Sequence, residues 1–570
     1  MLTTIQALED GRLRDTRRGW IVASVIALMA FGLRIAGLGF PSKIVFDETY
    51  YAKDAWGMLQ SGYERQWASD EQFQTNDKIA QGDLSGLLPD PAYVVHPPLG
   101  KWLIALGENW FGMNAFGWRF MACVFGALLV FLTVLLARRL SRSTLVGAIA
   151  GVLLTFDGLA FTMSRIALLD IFQAVFCLAA VLALVVDRDW FRARLAAHLR
   201  KHDLTDLGGS FGPLLLWRPW RITAGLLFGA ACAVKWNSVY LVAVFGIVTV
   251  AWDIGARALA GGGRLHVLTW RSWTAAVVLV GGATALLGGK VGYVMAALLV
   301  GTFAALVLYA HSVGMLRSLF VDAPMAFVST VVLAVPVYIA SWTGWLLTSG
   351  GYFRNWGEQN PDDLAVRLFG APLGSLWKYH VSAYEFHVGD GMMVNATHTY
   401  EAHPLGWLVM ARPIGIDAQN DIKPGEQGCE AVGDTCLRVI SGAGTPLLWW
   451  MACAALVAGL WWWLGRRDWR FAVPVLGVLA VWLPWFQYAG RPLFFFYAVV
   501  LLPFYVTGLA MAMGRLLGPA DGPKRQRNAT LIGVAIALVV LNFAFMYPIL
   551  TDGLLTRTQW LMRMWFGTWI

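Results

Sequence analysis

The sequence predicts an all-α polytopic membrane protein. Three observations carry that expectation: long apolar runs recur along the whole chain, the composition is 58% hydrophobic with mean hydropathy +0.58 and 14% charged residues, and basic clusters fall on alternate loops. The 29 tryptophans suit interfacial belts at helix ends, although Trp461, Trp462 and Trp463 lie at the end of an apolar run. The net charge of +9 is spread over short loops and reads as an orientation signal plus contact with anionic membrane lipids, and not as a nucleic-acid surface.

Taken in order, the apolar runs lay out as about thirteen spans of about 17 to 25 residues, near 20–39, 115–137, 144–161, 164–186, 222–236, 239–256, 273–289, 293–311, 323–346, 446–464, 470–487, 493–514 and 529–547. The first follows Arg12, Arg14, Arg17 and Arg18, which argue for a cytoplasmic N-terminus. It shows no small-residue cleavage site and is expected to stay as a helix. Threading the spans in and out puts Arg138/Arg139/Arg142, Arg188 to Arg221, Arg257 to Arg271, Arg466/Arg467/Arg470 and Lys524/Arg525/Arg527 all on the cytoplasmic side. Two long segments, 41–114 and 348–445, remain outside, and loops of that length are functional or disordered. Their aromatic content favours order. Short amphipathic helices are expected at Asp47–Leu59 and Pro98–Trp110, and residues 1–570 read as one domain whose last part, 446–570, is a C-terminal transmembrane region.

The outer segments hold the candidate chemistry. Asp47 and Glu48 follow the first span directly, and because neighbouring residues point in different directions they are expected to have separate tasks, one a general base and the other an orienting partner. The alternative is a helix N-terminus in which both acids favour the macrodipole. In His96-Pro97-Pro98-Leu99-Gly100-Lys101 the prolines set the start of a helix, so His96 and Lys101 could both meet an anionic headgroup. Arg119, Arg165, Asp170, Lys235 and Arg491 sit inside or at the outer ends of spans, where charge is expensive, and together they describe an anion site more readily than scattered ion pairs. Cys429 and Cys436 are close together in the second outer segment and are expected to form a disulfide in an oxidising compartment. No second Cys/His pair at zinc spacing accompanies them, so no metal site is expected.

Phe46-Asp47-Glu48-Thr49-Tyr50-Tyr51, His96-Pro97-Pro98-Leu99-Gly100-Lys101, Arg165 to Asp170 and Lys235-Trp236-Asn237-Ser238 resemble the protein O-mannosyltransferases. Ser341-Trp342-Thr343-Gly344-Trp345 and His398-Thr399-Tyr400-Glu401-Ala402-His403-Pro404 resemble the bacterial, actinobacterial-type branch, and the likeness covers nearly the whole chain. The resemblance implies a GT-C membrane glycosyltransferase that moves mannose from a polyprenyl-phosphate donor to Ser or Thr hydroxyls of exported proteins, inverting the sugar, at the outer face of the cytoplasmic membrane. It matches Asp47 to the catalytic aspartate and Glu48 to its acidic partner. The family pattern has about eleven spans, so the hairpin at 273–311 reads as an insertion, and the β-trefoil insert of eukaryotic members is absent.

Single displacement needs a base on the acceptor side, here Asp47, and fixed cations for the departing phosphate, drawn from Lys101, Arg119, Arg165, Lys235 and Arg491. No metal or other cofactor is required. Asp170 and Asn237 are candidates for sugar hydroxyls, while His380, His387, Glu401 and Trp407 are candidates for the acceptor groove. The secretion translocon is a candidate neighbour. Two other readings remain at this point: a related lipid-linked sugar transferase with a glycolipid or glycan acceptor, and a transporter or flippase, which would need midplane charges and paired halves.

Overall fold

A computed structural model of the chain describes residues 3–10, 16–68, 72–262, 291–388 and 396–570. These form two compact units, one of residues 17–178, 231–236 and 338–570, the other of the N-terminal stretch to Thr16 with 179–230 and 237–337. Among the described residues, eight helices are long and apolar enough to cross a membrane, and Thr144–Thr155, Pro219–Val234 and Leu502–Leu517 are shorter apolar helices. The first arm of the hairpin expected at 273–311 lies outside the described residues; its second arm is the helix Val291–Ser312.

In the larger unit the first apolar helix, Thr16–Ile35, buries a single stripe of Gly19, Ala23, Ile26, Ala30 and Arg34, the three- and four-residue spacing of one helix face. Both expected amphipathic helices are present. Glu48–Ser61 buries Glu48, Tyr51, Ala52, Ala55 and Met58 and stops at Gly62, whose φ of +83° and N–H bond to the Met58 carbonyl make a left-handed cap. Leu99–Phe111 begins straight after Pro98 and buries Gly100, Lys101, Ile104, Ala105, Gly107 and Glu108. It packs on Ala115–Ser141, where Gly107 meets Gly117 so closely that a Cβ on Gly107 would stand 2.3 Å from the Gly117 carbonyl oxygen.

Of the apolar runs at 144–161 and 164–186, the second becomes a long apolar helix, Asp170–Lys201, and the first is cut short. The first helix ends at Thr155 because Asp157 caps a new short helix, Gly158–Met163, accepting from Ala160 N at 2.8 Å and also from Trp449 Nε1 at 2.8 Å. The next helix then starts at Asp170, leaving Ser164–Leu169 non-helical. A polar side chain inside an apolar run has broken the helix to satisfy itself. Two small antiparallel sheets were not read from the sequence either: β1 (Arg65–Trp67) with β2 (Leu87–Pro91), and β3 (Ile414–Ile422), β4 (Cys436–Gly442) and β5 (Leu555–Thr556) in that order. Cys429 and Cys436 are disulfide-bonded at the base of the β3–β4 connection.

In the smaller unit, several arginines of the expected cytoplasmic clusters are buried in ion pairs and do not face lipid. Arg218 pairs with Asp187 and Asp253, Arg221 with Asp253 at 2.7 Å, and Arg257 with Asp322 at 2.8 Å. Arg257 also donates to the Phe211 and Pro213 carbonyls. The N-terminal helix Thr4–Glu9 rests Leu8 against Phe191 and Leu195.

Gly107→Ala should lower the unfolding temperature in detergent, with a loss of roughly 1–3 kcal/mol, because the new methyl meets backbone and not a movable side chain. An unchanged midpoint in a thermal melt would show that the two helices separate without cost.

Candidate active site

The two adjacent acids have opposite surroundings. Glu48 is 0% exposed and fully engaged: Oε1 accepts from Arg119 Nε at 2.8 Å and from Ala167 N at 3.0 Å, while Oε2 accepts from Arg119 Nη2 at 2.9 Å and from Val45 N at 3.0 Å. Arg119 spends its remaining donors on backbone, Nη1 on the Leu38 and Pro41 carbonyls and Nη2 on Lys43. A fork facing a carboxylate in this way is both strong and geometrically selective. Among the described residues, by contrast, no hydrogen bond reaches the half-buried Asp47 carboxylate, which stands at the N-terminus of Glu48–Ser61. Its backbone is reached through Phe46 in the left-handed region, φ +48°, a conformation that costs a non-glycine residue energy and is held by its surroundings. Burial raises the Asp47 carboxyl to about 6; the positive charge of Lys235 opposes the shift and the negative charge of Asp170 adds to it.

Around Asp47 the larger unit gathers groups from distant parts of the chain. Tyr51, one helical turn along, is a neutral phenol held well above its ordinary range by burial and then by Asp47 and Asp170. Lys235 Nζ bonds Asp170 Oδ2 at 2.8 Å and lies 5.2 Å from the centre of the Tyr497 ring. His96 stacks on His387 with centroids 5.5 Å apart and lies 6.1 Å from Tyr51; burial, then the positive charges of Lys235, Lys101 and Arg491, hold it neutral. Arg491 donates Nη1 to His387 Nδ1 at 3.4 Å.

Several expectations need correction. Arg119 does not face a headgroup, because all its donors are occupied by Glu48 and the segment before it. Arg165 caps the end of the first apolar helix, donating to the carbonyls of Arg34, Ala36 and Gly37, which have no partner within the helix. Lys101 is 1% exposed and locked to Glu64 at 2.9 Å and Asp54 at 3.1 Å. Trp407 is a core residue, its Nε1 on the Ala402 carbonyl and its ring against Trp485 and Tyr497. His380 is held by both nitrogens in a relay: Trp236 Nε1 donates to Tyr338, Tyr338 to His380 Nε2, and His380 Nδ1 to the Leu376 carbonyl. Glu401 has an exposed side chain on the segment before Pro404, and Asn237 belongs to the smaller unit.

What remains together is Asp47, Asp170, His96, Lys235, His387 and Arg491, with Tyr51 and Tyr497 added by the structure. Tyr51 was visible as the residue four positions after Asp47 on one helix face. Tyr497 had no local sign, since only folding brings its aromatic run beside Lys235.

The fold is of the GT-C membrane-glycosyltransferase kind. The yeast (S. cerevisiae) protein O-mannosyltransferase Pmt1–Pmt2 complex, solved with its sugar donor, superposes with TM-score 0.61 at 12% identity over 99% of this chain and 94% of that one. The family profile described as dolichyl-phosphate-mannose-protein mannosyltransferase matches residues 24–286. The polyprenol-phosphate-mannose–protein mannosyltransferase of Mycobacterium tuberculosis is 35% identical over 97% of this chain and 92% of its own length, and that of Corynebacterium glutamicum 31% identical over 98% and 95%. The chain belongs to this protein mannosyltransferase family and is a multi-pass membrane enzyme.

Arg119→Met leaves Glu48 as an uncompensated buried charge and should cost about 3–5 kcal/mol, read as a large fall in thermal midpoint together with lost activity. A variant as stable as the parent would show that the Arg119–Glu48 pair does not hold the fold.

Proposed function

We propose that this enzyme transfers mannose, with inversion, from polyprenyl-phosphate-mannose to Ser or Thr hydroxyls of proteins under export, at the outer face of the cytoplasmic membrane and with its N-terminus in the cytoplasm. The observation that carries the reading is the division of labour between adjacent acids: among the described residues, both Glu48 oxygens accept hydrogen bonds and neither Asp47 oxygen does. A carboxylate with no hydrogen-bond partner among the described residues, under the charges of Lys235 and Asp170 and raised to about 6, suits a base that is ionised at neutral pH and still able to take a proton.

In this scheme Asp47 removes the proton of the acceptor hydroxyl as that oxygen bonds to the anomeric carbon. The bond from that carbon to the phosphate oxygen breaks, its electron pair stays on phosphate, and polyprenyl phosphate departs with one more negative charge. Lys235 and Arg491, the site cations not locked into the loop before Glu48, receive that charge. Asp170 holds Lys235 and offers its second oxygen to the sugar. His96, neutral and without a protein hydrogen bond among the described residues, offers both ring nitrogens to the donor. Because phosphate leaves as a stable anion and side chains supply the positive charge, a divalent metal has no assigned task. The acceptor enters as an extended chain past Glu401, supplied by the secretion translocon, while membrane lipids surround the apolar helices.

Asp47→Asn should reduce mannosyl transfer to a Ser/Thr-rich peptide by at least about 10²–10⁴-fold while donor binding persists. Retained turnover, or transfer only to a glycolipid, would overturn the assignment. In the parent enzyme, kcat/KM should fall as pH drops through about 6, because the base becomes protonated; a flat profile from pH 5 to 8 (roughly the range that brackets the transition) would contradict Asp47 as that base. Chelation with EDTA should leave the rate unchanged, and restoration of a lost rate by added divalent metal would show that the cation inventory is incomplete.

A further inference from the structure

Arg491 lies on the short segment between the turns Leu483–Tyr488 and Phe495–Val500. Among the described residues no carboxylate pairs with its guanidinium: Nη1 reaches His387 Nδ1 at 3.4 Å, the Tyr488 ring stands 5.9 Å away, and Nε is buried without an acceptor. A buried guanidinium nitrogen without a partner is costly unless a ligand completes it.

His387, near the end of the helix Ala371–Val388, has its other nitrogen, Nε2, 3.3 Å from the Val95 carbonyl oxygen. A carbonyl only accepts and a guanidinium only donates, so a single state of the ring satisfies both contacts: neutral, with hydrogen on Nε2 and a lone pair on Nδ1. Val95 directly precedes His96, whose ring stacks on His387. One imidazole therefore joins the His96 segment to the Arg491 segment.

We propose that His387 is a positioning residue: anchored on Val95 as the Nε2–H tautomer, it turns Arg491 so that Nε and Nη2 face the phosphate of the lipid-linked donor. This rests on the donor chemistry proposed above and moves His387 from the acceptor groove to the donor side. The groups facing His387 are Arg491, Lys235 and the neutral His96, with Trp236 and Phe386 at its edges. Burial, then Arg491, brings its ordinary value down to about 4, with the Val95 carbonyl opposing and Lys235 adding, so the anchor persists wherever Asp47 is ionised. Protonation would set an N–H against the guanidinium and release it.

His387→Phe keeps the stacked ring and removes both hydrogen bonds, whereas His387→Gln keeps one acceptor and one donor. His387→Phe should lower kcat/KM for the donor about 10- to 100-fold, as expected for losing a hydrogen bond to a charged group, with peptide KM unchanged, and His387→Gln should recover most of it. Combined with Arg491→Gln, His387→Phe should add nothing to the single Arg491→Gln defect. Multiplying defects, an effect on peptide KM alone, or parental kinetics would each overturn the proposal. The same comparison is made by direct binding of polyprenyl phosphate, which needs no turnover. A parent enzyme that binds this lipid but mannosylates no peptide would count against the acceptor reading, while the binding loss in His387→Phe would still decide this one. If His387→Phe does not fold, His387→Asn, whose shorter amide does not span from the Val95 carbonyl to Arg491, carries the cycle with Arg491→Gln.

Discussion

Two nitrogens of Arg119 close on the two oxygens of Glu48, and three carbonyls between Leu38 and Lys43 close on the same guanidinium. With those bonds made, the chain leaving the first apolar helix has one course, and Asp47 is carried to its position by a backbone it does not itself stabilise. A buried charge pair gains little net free energy over apolar packing, since desolvation cancels much of the attraction. Its use here is geometric, because a bidentate fork accepts a carboxylate in few orientations. Asp47 can then remain without a hydrogen-bond partner among the described residues, which is what the proposed role of base requires of an oxygen that is to meet a substrate hydroxyl.

The same logic divides the cations. Near a membrane, backbone groups that leave a helix have little water to bond, so arginines placed there tend to be taken by carbonyls. Arg165 on the carbonyls of residues 34, 36 and 37 and Arg119 on the next stretch are such cases. Lys101 is held by two acids and ties Leu99–Phe111 to the Asp54 and Glu64 side of the unit. In the proposed mechanism the positive charge for a leaving phosphate is therefore left to Lys235, which bonds Asp170, and to Arg491, which leans on a neutral histidine. Much of an enzyme's advantage comes from holding groups in place, up to about 7–11 kcal/mol where orientation is ideal, and Arg119, Arg165 and Lys101 are spent on holding chain segments together.

How much of this was legible varies with the range of the interaction. The helices Glu48–Ser61 and Leu99–Phe111 were readable because apolar spacing and the proline pair before Leu99 are local. The disulfide Cys429–Cys436 was readable because its partners are close in sequence. The interruption at Asp157 was not, since it depends on Trp449 and Thr445, nearly three hundred positions away. The sheet β3–β4–β5 was missed because its third strand is two residues near the C-terminus, with no periodicity of its own. Trp407 and His380 look like surface ligands in a loop-rich sequence and became core and relay through partners the sequence does not display.

Composition, the run lengths of apolar residues and the motifs around Asp47 and His96 were enough to determine a many-spanning helical membrane protein, its family likeness and the acids in question, because hydropathy and short motifs are properties of contiguous residues. Which acid is bound and which has no partner among the described residues, and which cations are consumed by carbonyls and acids, was decided only by the tertiary structure. Those outcomes depend on hydrogen-bond saturation, and saturation is set by donors from positions 119, 165, 167 and 491 that meet their acceptors only when the chain has folded.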